Sequence, residues 1–201
     1  MQPLRFFTSH QAAVVEDATA RIAPGPSDDP AEAGHPGARE AGVTYYIDGM
    51  LGALAAIEAT DAVPAIFAGG PSFIALDPVT RIAWRERLTG WQQQYNSGIA
   101  ALDKLAGGDF TTASPADQDD ILAKPEVSTF LELLFEHTIE GMYSVPEYGG
   151  NRGRAGWQDI NYPGDSQPAG YPPDEVERSD GPDPVDDTGV VGDVLKFLGA
   201  L

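Results

Sequence analysis

The chain has 201 residues, 42% of them hydrophobic, which is enough for one domain with a real core plus a tail. Its formal charge of -19, from 31 acidic against 12 basic residues, argues against nucleic acid and against an anionic membrane as partners. The absence of cysteine excludes disulfides, thiolate-held iron–sulfur clusters and the C-x-x-C-H attachment of c-type haem, so no electron carrier of these kinds is expected in the chain.

Lys104, Lys124 and Lys196 are the only lysines, and aspartate is the commoner acid. Two origins fit such a surface: adaptation to concentrated salt, which screens self-repulsion, or a GC-rich genome. The amino terminus has one arginine and no apolar run of signal-peptide length. The most apolar stretch, Val63 to Leu76, is broken by Pro64, Gly69, Gly70 and Pro71, so no membrane-spanning helix is expected.

Thr8 and Gln11 have capping-box spacing, and Val14 or Val15, Ala18 and Ile22 continue at helical intervals, which predicts a first helix from about Ser9 to Ala23. Pro24 to Gly37 holds four prolines and three glycines and reads as an extended surface loop. Pro36 is placed to open a second helix with an apolar stripe of Val43, Ile47, Met50 or Leu51, Leu54 and Ile57. Gly42, Gly49 and Gly52 lie on or beside that stripe; each weakens a helix by about 1 kcal/mol relative to alanine, so close packing against another helix or a partner backbone is expected to compensate. Asp77-Pro78 is an N-cap with proline at the first helical position. Trp84, Leu88, Trp91, Tyr95, Gly98, Leu102 and Leu105 follow as an aromatic core seam ending at Gly107-Gly108. Ser114-Pro115 with Asp117 opens a short helix through Ala123.

After Pro125 comes a helix with Phe130, Leu131, Leu134, Phe135, Thr138 and Met142 as its apolar positions, stopping at Ser144-Val145-Pro146. A glycine-dense loop follows, with Gly149, Gly150, Gly153 and Gly156 among Tyr148, Arg152, Arg154, Trp157 and Tyr162. Such side chains exceed what a connector needs and suggest a shaped surface. With helix following helix and no period-two runs, the fold class is all-α: a compact multi-helix domain over 1–164 with long loops. Residues 165–201 read as an acidic, proline-rich tail too polar to order, ending in a short amphipathic helix of Val191, Val194, Leu195, Leu198 and Leu201 that docks on the domain or on another subunit.

Glu132, Glu136 and Glu140 recur every fourth residue beside His137. A carboxylate-bridged metal site would need matching Glu-x-x-His partners, and the sequence has none, so the stripe reads first as solvated or interface-facing, with His137 capping or hydrogen-bonded locally. A free-standing metal or acid–base enzyme using Glu136, His137 and Glu140 is the alternative. No dinucleotide fingerprint, P-loop, nucleophile elbow or zinc-protease motif occurs. The Gly149 to Gly156 loop leaves a helix rather than entering one from a strand, which argues against a phosphate cradle.

Glu136-His137-Thr138 with Glu140-Gly141, then Pro146 to Arg152, Gly156-Trp157 and Tyr162-Pro163-Gly164, resemble the signature of the gluconate 2-dehydrogenase subunit 3 family. Arg21 to Pro24, Pro36 to Val43 and Tyr46-Ile47-Asp48 resemble its N-terminal half, so the likeness spans most of residues 6 to 165. The resemblance implies a non-catalytic small subunit that stabilises or escorts a large FAD-dependent dehydrogenase subunit acting on a sugar, sugar acid or polyol, with a cytochrome subunit as a further partner. FAD then belongs to the partner, with no cofactor, metal or catalytic residue in this chain. A transient export or folding chaperone is the other reading the resemblance leaves open. Family members often carry a twin-arginine leader and are exported; this chain shows none, which leaves the mature form, travel on a partner's signal, or the cytoplasm. The expected partner contact is the loop residues Glu147, Tyr148, Gly149, Gly150, Asn151, Arg152, Trp157 and Tyr162. The competing expectation is that Tyr148 and Trp157 turn inward and close the core.

Overall fold

The computed structural model describes residues 3–59, 77–162 and 164. The Val63 to Leu76 stretch and the tail with its terminal stripe lie outside the described residues. Helix α1 spans Ser9–Ile22 and begins as its sequence dictates: the Gln11 N–H donates to the Thr8 hydroxyl at 3.2 Å while the Gln11 side-chain oxygen accepts from the Thr8 N–H at 2.9 Å. Its inward face buries Val14, Val15 and Ala18.

The segment expected to form one helix from Pro36 forms two, α2 over Ala38–Ala41 and α3 over Val43–Ala59. Gly42 breaks them apart with φ 70, the conformation that calls for glycine, and the Arg152 side chain lies over it, its Cδ 2.5 Å from where a Cβ would stand. Gly52 meets Arg5, from the segment ahead of α1 and not from another helix as expected, and among the described residues Gly49 has open space around it. The loop before α2 contains a 3-10 turn at Pro30–Glu32. It is held down by Arg39, whose guanidinium reaches Asp28 at 2.7 Å and also Asp17 on α1. Burial acts to lower the Arg39 pKa, but the hydrogen bonds to Asp17 and Asp28 outweigh it and hold the group more firmly charged than usual.

Helix α4, Pro78–Leu105, starts at the Asp77 cap, whose carboxylate accepts the Val79 and Thr80 N–H groups at 2.9 and 3.0 Å. Leu88, Tyr95, Gly98, Ile99 and Leu102 face the core. The upper part of the expected seam is less buried: Trp84 and Trp91 are half-buried and carry the Arg87 guanidinium 5.1 and 5.8 Å from their ring centres. Helix α5, Pro115–Leu122, is capped by Ser114, and α6 spans Ser128–Tyr143. Among the described residues there is no strand, and the fold is all-α as expected. Helix α3 packs against α1, α4 and α6, and Ile47, Leu51, Leu88, Leu102 and Leu134 are fully enclosed between them. Each such side chain contributes about 1.5–3 kcal/mol by leaving water.

One buried charge fixes the start of the chain. Asp48 on α3 accepts the N–H groups of three consecutive residues, Arg5 at 2.7 Å, Phe6 at 3.0 Å and Phe7 at 2.9 Å. The enclosed carboxylate is thus satisfied by backbone dipoles, and the Phe7 ring is delivered to Tyr95, 5.7 Å between centres.

Candidate functional site

A helix leaves its last carbonyls without intrahelical donors, and a buried end must find others. At the end of α6 the Ser144 N–H returns to the Glu140 carbonyl at 2.8 Å, and three more carbonyls are served by residues further along the chain. The Asn151 N–H donates to the Gly141 carbonyl at 2.7 Å, the Trp157 indole N–H to the Tyr143 carbonyl at 2.8 Å, and the Asn151 side-chain amide to the Ser144 carbonyl at 2.9 Å. Asn151 also accepts the Gly156 N–H at 3.0 Å, so one buried side chain joins the helix end to the start of α7, Ala155–Asp159. The glycine-dense loop is therefore the C-terminal cap of α6.

The backbone needed for this is tight. A 3-10 turn at Pro146–Tyr148 ends at Gly149, and Asn151 and Arg154 both take left-handed conformations, with φ 44 and 60. Gly150 passes so close to α6 that a Cβ on it would lie 2.2 Å from the Gly141 carbonyl oxygen. No flexible side chain is there to yield; the obstacle is helix backbone.

This geometry divides the residues expected to form one contact surface. Gly150, Asn151 and Trp157 are internal; Trp157 is 7% exposed and serves the fold, as the inward-turning expectation held. Gly149 is half-buried. Glu147, Tyr148, Arg152 and Tyr162 remain on the outside, with Tyr148 at 42% and Tyr162 at 46% exposure, so Tyr148 does not close the core. Tyr162 stands edge-on to Trp157 at 5.1 Å, and the Arg152 guanidinium lies 3.9 Å above the Tyr45 ring, against Gly42. The exposed side chains are thus mounted on a cap that is itself anchored in the core.

Glu136, His137 and Glu140 do not converge. Glu136 is exposed, whereas His137 points into the core, fully enclosed, with Nδ1 3.0 Å from the Tyr95 hydroxyl, its ring stacked on Tyr95 and edge-on to Trp91. The capping or local hydrogen bond expected for His137 is replaced by this contact across the core to α4. Burial pushes its pKa down to about 4, so the imidazole is neutral near pH 7. Among the described residues its Nε2 has no hydrogen-bond partner. Glu140 accepts the Tyr46 hydroxyl at 3.0 Å, and burial together with that carboxylate raises the Tyr46 pKa. The sequence signals misled here because i and i+1 on a helix point about 100° apart, so Glu136 and His137 serve opposite environments.

Among the described residues, the three whose donor atoms come within 4.8 Å of one another are His10, Asp103 and Asp109, at the surface. His10 Nε2 and Asp103 are already paired at 2.8 Å, and Asp109 caps the 3-10 turn Phe110–Thr112. Sequence reading also missed the outer face of α6: Phe135, expected inside, is 55% exposed. Its signal was Leu131, Phe135 and Ile139 recurring every fourth residue as a second apolar stripe.

The model of one protein family, described as Gluconate 2-dehydrogenase subunit 3, matches residues 9–164. No curated protein and no solved structure matches the chain. The matched span runs from the first residue of α1 through the loop that caps α6, and the chain belongs to the gluconate 2-dehydrogenase subunit 3 family.

Proposed function

We propose that the chain is the non-catalytic small subunit of an FAD-dependent dehydrogenase complex of the gluconate, glucose or polyol type, stabilising or escorting the catalytic flavoprotein. The observation that carries this reading is the family match across 9–164, which takes in the whole α6 cap. The cap supports it physically: Tyr148, Arg152 and Tyr162 are held on a backbone whose shape is set by the helix carbonyls, so little ordering remains to be done on binding. Aromatic and arginine side chains on a rigid support are the types that anchor interfaces. Flavin and substrate chemistry belong to the partner in this reading, and a cytochrome subunit is a further partner of the assembled complex.

Co-expression with the flavoprotein subunit of the same source, followed by purification through a tag on this chain, tests the proposal. The expected result is a yellow, dye-reducing complex, and a soluble flavoprotein yield that falls when this chain is omitted. Sugar or polyol oxidation by the purified chain alone would overturn the non-catalytic assignment. Whether the chain stays in the mature complex separates a resident subunit from an escort.

A further inference from the structure

Among the described residues, helix α6 has a second apolar face that no other element covers, and it begins near the end opposite the cap. Leu131, Phe135 and Ile139 follow at four-residue steps, with Phe135 55% and Ile139 39% exposed. The stripe begins in a cleft of about 640 Å³ whose apolar wall is completed by Ile22 at the end of α1 and Leu122 at the end of α5. From Leu131 to Tyr143 is twelve residues, about 18 Å of helix, so the cleft is a separate surface from the loop around Arg152.

The polar border is acidic. Among the described residues, the one basic side chain in the lining, Arg21, is consumed internally by a two-pronged pair with Asp119, at 2.7 and 2.9 Å. Glu132 lies in the lining, and Glu136 continues its row one turn further on; both are exposed, and among the described residues neither has a cationic partner. An apolar trough edged by unpaired carboxylates, on a chain of formal charge -19, complements a segment with apolar anchors and flanking arginine or lysine.

We infer that this cleft is a second docking site for the flavoprotein, receiving an amphipathic segment that sets large apolar side chains over Phe135 and Leu131 and basic side chains against Glu132 and Glu136. The inference rests on the subunit reading above and adds a place and a chemistry to it. Eight residues line the cleft, whereas a whole stable interface takes about 20–30 residues a side, so it acts as an anchor pocket within a larger contact. Apolar burial supplies affinity, and the carboxylate border supplies register and a salt-sensitive association rate.

The test uses the whole chain with the co-expressed FAD-bearing subunit of the same source. Phe135→Glu is expected to keep the wild-type melting temperature and weaken flavoprotein binding about tenfold or more, while Glu132→Lys with Glu136→Lys weakens it and flattens its dependence on potassium chloride. Ile82→Ser, an exposed apolar change on α4, serves as control and leaves binding unchanged. Should Phe135→Glu misfold, the milder Phe135→Ser is read in its place. A photo-cross-linking p-benzoylphenylalanine at position 135 keeps an aromatic ring there and reports the occupant directly. A cross-link to a flavoprotein segment containing apolar residues and arginine or lysine is the expected product. Wild-type binding with undiminished binding by Phe135→Glu or Phe135→Ser overturns the cleft and leaves the subunit reading intact. A cross-link between two copies of this chain, or to a flavoprotein segment without basic residues, overturns it as well. Absence of any binding by the wild type removes the subunit reading, and the docking site with it.

Discussion

Helices α4 and α6 end in opposite ways. After Leu105 the chain closes α4 within three residues: the Ala106 N–H returns to Leu102 at 3.0 Å, Gly107 to Lys104 at 3.2 Å and Gly108 to Asp103 at 2.8 Å, with Gly107 at φ 86. Helix α6 instead relies on Asn151 and Trp157, brought back by a long excursion of left-handed turns. A local cap stabilises only its own helix. A distant cap makes the helix end and the surface loop one structure, so damage at either place is felt at both.

The strongest way to expose that difference is Trp157→Ala, which removes a buried ring together with the donor to the Tyr143 carbonyl. It is expected to destabilise the isolated subunit by about 4 kcal/mol in urea unfolding. A wild-type midpoint would place Trp157 outside the folding unit. Acid separates the body of α6 from its cap. The folded pKa of His137, about 4, lies below its ordinary 6.5, so unfolded chains take up the proton first. The stability this group confers is whole above pH 6.5 and is lost as pH falls toward 4, by about 3 kcal/mol in all. His10 works in the opposite sense: its hydrogen bond to Asp103 raises its pKa, so its contribution is whole below 6.5 and fades as pH rises. Urea midpoints followed from pH 7.5 to 4.5 should therefore fall less in His137→Phe than in wild type, both measured on a His10→Asn background. Equal slopes would remove His137 as the acid-sensitive group.

Asn151→Ala should cost about 2 kcal/mol through the stranded Ser144 carbonyl and Gly156 N–H, and should also weaken flavoprotein binding through the loop. Its counterpart at the local cap, Gly107→Ala, should cost about 1 kcal/mol and leave binding alone, because only a left-handed alanine is introduced. If both variants bind alike, the two ends are not functionally different. The smallest expected effect is a rise of melting temperature with potassium chloride, equal in wild type, Asn151→Ala and Gly107→Ala, since an acidic surface repels itself regardless of how a helix is capped. A flat or falling melt would leave genome composition as the source of that surface.

What sequence could foretell follows the same division. Thr8 with Gln11, Asp77 with the Val79 and Thr80 amides behind Pro78, and Ser114 with Asp117 are local codes in which donor and acceptor lie within three residues, and the helices they open start where expected. The Gly42 break was hidden because a lone glycine is tolerated within a helical pattern, and what fills the space beside it is Arg152, distant in sequence. Asn151 and Trp157 looked like surface residues for the same reason: their acceptors are carbonyls, which every residue has and no sequence marks. His137 was read from its acidic neighbours, while its surroundings come from Tyr95 and Trp91 on α4.

The Asp48 carboxylate ties the chain into a ring of about forty residues, since Phe7 and Asp48 are 41 positions apart. Closing such a ring costs entropy that only a finished acceptor site can offset, so residues 5–7 dock after α3 is in place and not before. Three successive amides share that one acceptor, and they should surrender their hydrogens to deuterated solvent together, at a rate set by the opening of α3. The first residues of the chain are thereby a reporter of its centre.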